Sequence, residues 1–472
     1  MQIQSINFSI PYFNMFQVKP KDQVNKNHSF ASLCLKPQPA CDMVSFTGVS
    51  HGGEILKKLS AYGVPDIYTG QIMLDPNVLE RLRGSGVFSK PLKDCVRIIS
   101  HYEDTLLPVD RQFFEILKLH SKIQPESKIS DVVKQIVPEH KKLLLKAQQP
   151  IFENLIQMAC DLPKDLFDEF SVLMNITTKR LVNDPVILPF SEREFKYKLK
   201  RIADEIKTKN KRSETIAVNT LIREAEKIFN NEPKGSRIYG RNIRKKFEYQ
   251  RDPKIIKRNS ENMQKFKEVF EQSRLRKNPD IIKLIENTSA KIHGLPSFAQ
   301  FERKSFIHEL KKITKSLKDR KFAQRFSDVA QTLPTSKENV SAFIVKYADD
   351  SSERIGSNMM MNGVCSVDHL VAKKNKGKND LTNFGLSATE INRRKTNIKF
   401  DDWVRMHPEI YANSQKHVNR LIELYKAGKF AAVSTNKKKI DQTYIENLAT
   451  TLAKISPKEK PIIIDLSKLY EK

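Results

Sequence analysis

The sequence predicts a mainly α-helical protein: a long helical region followed by a small C-terminal ββα unit. Two observations carry the helical region. Apolar residues recur at helical spacing over residues 54–175, for example Phe113, Phe114, Ile116, Leu117 and Leu119, and again over 266–332. Prolines at 108, 125, 138, 150 and 163 read as punctuation between helices. A third observation sets residues 364–395 apart. Two short β-prone runs are separated by turn formers and lysines, with a helix start directly behind them.

In chain order, residues 1–50 mix Asn, Gln, Ser, Lys and Pro with scattered aromatics and no period, which predicts a disordered tail. Residues 51–230 form a helical domain, with amphipathic helices over 195–206 and 216–229. Residues 231–262 are the most polar and basic internal stretch and read as a linker or hinge. A helical segment over 263–335 ends at Leu333-Pro334. Ser336-Lys337-Glu338-Asn339 starts a helix that ends near Asp349-Asp350 and feeds a domain over 336–430 containing the ββα unit. Three further helices follow over 400–406, 408–426 and 441–455, the last in a helical tail spanning 431–472. Trp403, the single tryptophan, falls just behind the unit and is expected to pack against its helix.

The ββα unit follows from local signals. Val364-Cys365-Ser366-Val367 is β-prone and ends at Asp368-His369. Residues 373–380 (KKNKGKND) are lysines and turn formers, so the chain loops out. A brief apolar return covers 384–386. Ser387 with Glu390 three residues on reads as a capping box that starts a helix at about Ala388. On that helix Asn392 and Lys395 are i and i+3 and share a face.

These residue types suit phosphodiester hydrolysis. An imidazole takes a proton from water near neutral pH, and a divalent cation neutralises charge building on the phosphate and the departing oxygen. Magnesium prefers oxygen ligands and keeps several waters, so one carboxylate and one amide oxygen suffice. The assignment is therefore His369 as base, Asp368 and Asn392 as ligands of one Mg2+ or Mn2+, and Asn383 holding the loop and the imidazole in register. Lys395, with Arg393 or Arg394, is expected against phosphate oxygens, and Lys373 and Lys374 in the loop are further nucleic-acid contacts.

The order Asp368-His369, then Asn383 14 residues on, then Asn392 nine further and Lys395, resembles an HNH endonuclease domain of the RNA-guided CRISPR effector type. The resemblance covers roughly residues 362–398. It implies a ββα-metal fold, a histidine base, one magnesium on the acid and the distal asparagine, and products with 5′-phosphate and 3′-hydroxyl ends. Ala372 stands where that family commonly has proline. No Cys-x-x-Cys pair flanks the motif, so no structural zinc is expected and apolar packing from elsewhere in the chain must hold the unit. Upstream, Ile67-Tyr68-Thr69-Gly70-Gln71-Ile72-Met73 resembles the Tyr-Ser/Thr-Gly hairpin that often precedes the Asp-His strand. If it belongs to the same fold, the nuclease domain is discontinuous; otherwise it is a glycine turn between helices.

Composition agrees without deciding. Lys and Arg total 83 against 55 acids, for a net charge of +28, which favours a nucleic-acid partner, DNA first, and salt-dependent affinity. Basic clusters fall at 196–212, 234–258, 311–325 and 437–439. In the second, Tyr239, Phe247 and Tyr249 alternate with cations and would either stack on bases or form the apolar side of a helix. Cysteines at 34, 41, 95, 160 and 365 show neither metal nor disulfide spacing, and Cys365 reads as strand packing. No run reaches the length of a membrane span, and no standard secretory signal is present. The expectation is a cytoplasmic protein with no membrane partner, non-standard secretion remaining open. His407 and His417 read as solvated or capping residues that could also approach the site, and Arg354 as a phosphate contact or a partner of Glu353.

The leading expectation is a metal-dependent HNH endonuclease acting on DNA. The alternative is a non-catalytic nucleic-acid-binding protein on a degenerate HNH scaffold. The complete polar set weighs against degeneracy, because a scaffold that holds no metal has no need of two polar ligands. A third reading keeps the chemistry in a nuclease toxin or effector, with an immunity or regulatory protein as partner.

Overall fold

The computed structural model describes residues 51–182, 184–208, 212–229, 243–297, 301–434 and 440–471. The chain is mainly helical, with a small two-stranded antiparallel sheet near the C-terminus. It divides into two compact units, residues 145–333 in one and 51–144 with 334–471 in the other. The disordered tail expected over 1–50 lies outside the described residues. No described helix is long and apolar enough to cross a membrane.

The unit over 145–333 is built of helices whose starts are written in the sequence. Asp252 and Asn278 each cap a helix from the position before a proline, giving helices Pro253–Glu271 and Pro279–Ile292. Their apolar faces close two cores. In one, Phe195 lies 5.0 Å from Phe229 and 5.1 Å from Phe266, centroid to centroid. In the other, Phe152 packs on Phe306 and Phe170 on Phe326. The linker expected over 231–262 is helical where described, with helix Ile243–Gln250 and the first half of Pro253–Glu271. Its polarity is that of exposed helix faces, for Asn259 is buried and Met263, just beyond the expected linker, enters the core. Phe247 and Tyr249 are half-buried, while Tyr239 lies outside the described residues.

The boundary expected near 335 falls at Leu333/Pro334, but the one expected at 230 does not separate the units. The other division falls at Leu144/Leu145, inside the continuous helix Ile129–Ala159, where no composition change marks it. Pro138 and Pro150 sit within that helix rather than ending it. Each removes one backbone donor, a local cost that the remaining turns absorb.

The second unit also has two cores. One gathers helices Leu92–Ile99, Pro108–Ile123, Val340–Lys346 and Ser352–Met361 around Phe113, Phe114, Phe343 and Met359. Helix Ser352–Met361 was not expected. Ser351 caps it and Ile355, Met359 and Met360 bury its face, but Gly356 and the run of methionines obscure the periodicity. The helix started by Asn339 ends at Lys346, short of the predicted end.

The other core surrounds the sheet. Strands β1 (Cys365–His369) and β2 (Phe384–Ala388) pair with Asp368 opposite Gly385 and His369 opposite Phe384. Helix Thr389–Lys395 follows β2 directly, so the expected strand, loop, strand and helix are present. Apolar side chains from both ends of the sequence enclose the unit: Ile55, Leu59 and Ile67 from one side, Trp403, Leu421, Tyr444, Leu448 and Leu452 from the other. The segment expected as a separate tail over 431–472 is therefore part of this core, since the face bearing Tyr444, Ile445, Leu448 and Leu452 has nowhere else to be buried.

Residues 64–74 lie against the strand pair. Pro65 bridges Ile72 across a turn, the Ile67 amide donates to Leu386 (3.1 Å), and Leu74 bridges Val364. The Tyr68-Thr69-Gly70 turn thus belongs to the same core as the ββα unit, and residues 145–333 interrupt the chain between its two parts.

Candidate active site

Alternation along β1 puts Ser366 and Asp368 on one face, and helix Thr389–Lys395 lies across it. The Asn392 amide donates from Nδ2 to Ser366 Oγ and to the Val367 carbonyl, both at 3.2 Å. Lys395, fully buried, places Nζ 2.7 Å from Asp368 Oδ2 and 2.8 Å from the His369 carbonyl. The shared helix face predicted for Asn392 and Lys395 is the face turned to the strand.

The helix start differs from the predicted capping box. Ala388 occupies the cap position and makes no side-chain cap bond. Ser387 instead donates from Oγ to Asp66 Oδ2 (2.8 Å), and Glu390 faces Lys337 and Arg394, each at 3.5 Å. The first helical amides donate to the carbonyls of Val364 (2.8 Å) and Asn362 (3.1 Å), so the chain leading into β1 satisfies the helix end.

Asp66 is fully buried and organises the turn before the sheet. Its Oδ1 accepts from the Tyr68 and Thr69 amides, both at 2.7 Å, and its Oδ2 from Ser387 and the Ala388 amide. Burial pushes its pKa up. The turn delivers Tyr68, whose hydroxyl donates to Asp368 Oδ2. Its ring packs edge-on against Trp403 and tilted against Phe400. Burial, and then the neighbouring Asp368, hold the phenol well above its usual pKa, so it stays a donor. Trp403 meets this ring as well as His407.

His369 ends β1 with its ring edge-on to Phe384. Its Nε2 donates to Asn379 Oδ1 at 2.9 Å, which leaves Nδ1 as the basic nitrogen. Burial lowers the imidazole pKa, so the neutral form prevails at neutral pH. Among the described residues Asn383 makes no hydrogen bond to the imidazole, contrary to half of its expected role. It closes the loop: Oδ1 accepts from the Val371 amide (2.8 Å), and Nδ2 donates to the carbonyls of Val371 (2.9 Å) and Lys378 (2.8 Å). Gly377 fits beneath it because any Cβ would lie 1.7 Å from the Val371 carbonyl oxygen. Asn379, which no sequence signal singled out, is the residue that hydrogen-bonds the imidazole.

The cations divide. Lys373, Lys374 and Arg393 are exposed, as phosphate contacts must be. Arg394 is exposed but donates to the Lys337 carbonyl (2.7 Å) and faces Glu390. Lys395 corrects the expectation: fully buried against Asp368, it cannot lie on a phosphate in this arrangement. Arg354 pairs with Asp350 at 3.0 Å, His407 approaches Glu409, and His417 is buried with Nδ1 donating to the Pro65 carbonyl (2.6 Å).

The donor set suits a hydrated hard cation. Oδ1 of Asp368 and Oδ1 of Asn392 accept no hydrogen bond from the described residues, while their companion atoms are tied down. Among the described residues no group of three or more His, Cys, Asp or Glu could hold a metal, so water would complete any coordination here. Compared with known proteins, the chain matches no family model, no curated protein and no solved structure.

Proposed function

We propose that the chain is a metal-dependent HNH endonuclease that hydrolyses phosphodiester bonds, DNA being the first substrate to test. One observation carries this reading. The Asp368 carboxylate and the Asn392 amide are each fixed through one atom and keep one oxygen uncommitted, and the next residue along β1, His369, carries a half-buried neutral imidazole. Oxygens left free in this way can accept a hard cation.

Under this reading Asp368 Oδ1 and Asn392 Oδ1 would hold one magnesium or manganese ion. When bound, that ion supplies charge neutralisation at the scissile phosphate and the leaving oxygen. His369 accepts a proton from the attacking water at Nδ1, while Asn379 fixes the ring through Nε2. Lys373, Lys374 and Arg393 contact phosphates beside the cleaved bond.

The test is nicking of supercoiled plasmid by the purified chain with Mg2+, Mn2+ or EDTA, beside His369→Ala. Metal-dependent nicking that falls by at least about a hundredfold in the variant supports the reading. Equal plasmid retardation by both proteins with no cleavage of plasmid, single strands or RNA would replace it with the binding-protein alternative.

A further inference from the structure

We infer that Tyr68 is a positioning residue of the proposed centre. Its hydroxyl fixes the Asp368 carboxylate through Oδ2 and so presents Oδ1 alone to the metal; the inference rests on the endonuclease reading above. A carboxylate at the end of a strand turns about its last bond and offers either oxygen, or both. Here Tyr68 Oη and Lys395 Nζ both bind Oδ2. Lys395 is itself held by the His369 carbonyl (2.8 Å), and its ammonium lies 5.8 Å from the Tyr68 ring centre. The three groups therefore set one carboxylate orientation.

The turn that carries Tyr68 is itself fixed on several sides. Asp66 accepts four bonds, two from the turn's own amides and two from Ser387 and Ala388 of β2. Helix Ile410–Lys426 lies along the turn's other side. Asn413 donates to the Tyr68 carbonyl (2.7 Å), Lys416 to that of Gly70 (2.9 Å) and Ser414 to that of Ile67 (3.4 Å). Gly70 has φ +67°, and a Cβ there would strike Asn413 Oδ1 at 2.4 Å, so the close approach requires glycine. A hydroxyl held this firmly needs only one acceptor to be satisfied. Its acceptor is the one carboxylate assigned to the metal, which is what a group that orients a ligand requires.

The test is Mn2+ binding to the full chain followed by electron paramagnetic resonance, with plasmid nicking measured against Mn2+ in parallel. Tyr68→Phe keeps the ring packing and removes the oxygen. It is expected to weaken Mn2+ binding by roughly ten- to a hundredfold and to raise the half-saturating Mn2+ for nicking equally, with the rate at saturating metal restored. Phe400→Leu, which disturbs the ring's packing but not its hydroxyl, is expected to leave Mn2+ affinity within about twofold.

Unchanged Mn2+ binding in Tyr68→Phe overturns the inference and leaves the endonuclease reading standing. So does equal weakening in Phe400→Leu, or a lost rate that saturating metal does not restore. No Mn2+ uptake by the unaltered chain overturns both.

Discussion

The Lys395 ammonium lies 2.7 Å from the Asp368 carboxylate, with 0 % and 4 % of the two side chains exposed. A lysine read from the sequence as a phosphate contact is thus the internal counter-ion of the acid at the end of β1. Burying either charge alone is costly, whereas the pair with its hydrogen bonds to Tyr68 and the His369 carbonyl is tolerated. Lys395→Met is expected to destabilise the protein by about 3 kcal/mol, read as a lowered urea midpoint. Adding Asp368→Asn is expected to recover part of that loss. Equal losses from the single and double variants would show the pair to be uncoupled.

Ser387 tests what holds the start of the last helix of the unit. Its bond to the Asp66 carboxylate predicts a loss of roughly 1.5–3 kcal/mol in Ser387→Ala. In an Asp66→Asn background the loss is expected to shrink, because the charged acceptor is gone. A helix cap would cost the same in both backgrounds.

Asn383 is the neck of the lysine-bearing loop. Asn383→Ala removes three hydrogen bonds to Val371 and Lys378, worth roughly 2–3 kcal/mol together. Amides over 371–383 are expected to exchange hydrogen about a hundredfold faster, with exchange in helix Ile410–Lys426 unchanged. Uniform acceleration across both segments would refute a local role.

His417 gives the pH dependence. Burial pushes its pKa down to about 4, below the unfolded value near 6.5. As pH falls through 6.5 the unfolded chain takes a proton that the folded chain refuses. Stability is therefore full above that value and lost on acidification, by about 2–3 kcal/mol at pH 4.5. Asp110, pushed up to about 7 by burial, titrates in the opposite sense over the same window. The comparison is therefore between the unaltered chain and His417→Gln. The unfolding free energy from denaturant titration is expected to drop between pH 7 and 4.5 by about 2–3 kcal/mol more in the unaltered chain than in His417→Gln.

Much of the fold was legible locally. Helices over 400–406, 408–426 and 441–455 occur within two residues of their predicted bounds, since caps such as Asp441 and apolar periodicity act within a few residues. Both strands and the helix behind them were read from β-propensity, a lysine-rich loop and a shift in period. Within the site, the residue types at 368, 369, 383, 392 and 395 were visible because their spacing is carried by one short segment. Asn379 was not, since one more asparagine in a polar loop has no signature.

The sequence by itself determined the strand, loop, strand and helix over 365–395, the three helices behind them and which polar groups stand at the end of β1, because propensity, capping and turn chemistry are local. Only the tertiary structure decided what each polar group does. Ser387 abandons a cap for Asp66, Lys395 turns inward to Asp368, and Tyr68 meets the same carboxylate from 300 residues away. The reason is that a buried donor or charge must find its complement wherever the fold places one, and that partner's distance along the chain leaves no periodic trace.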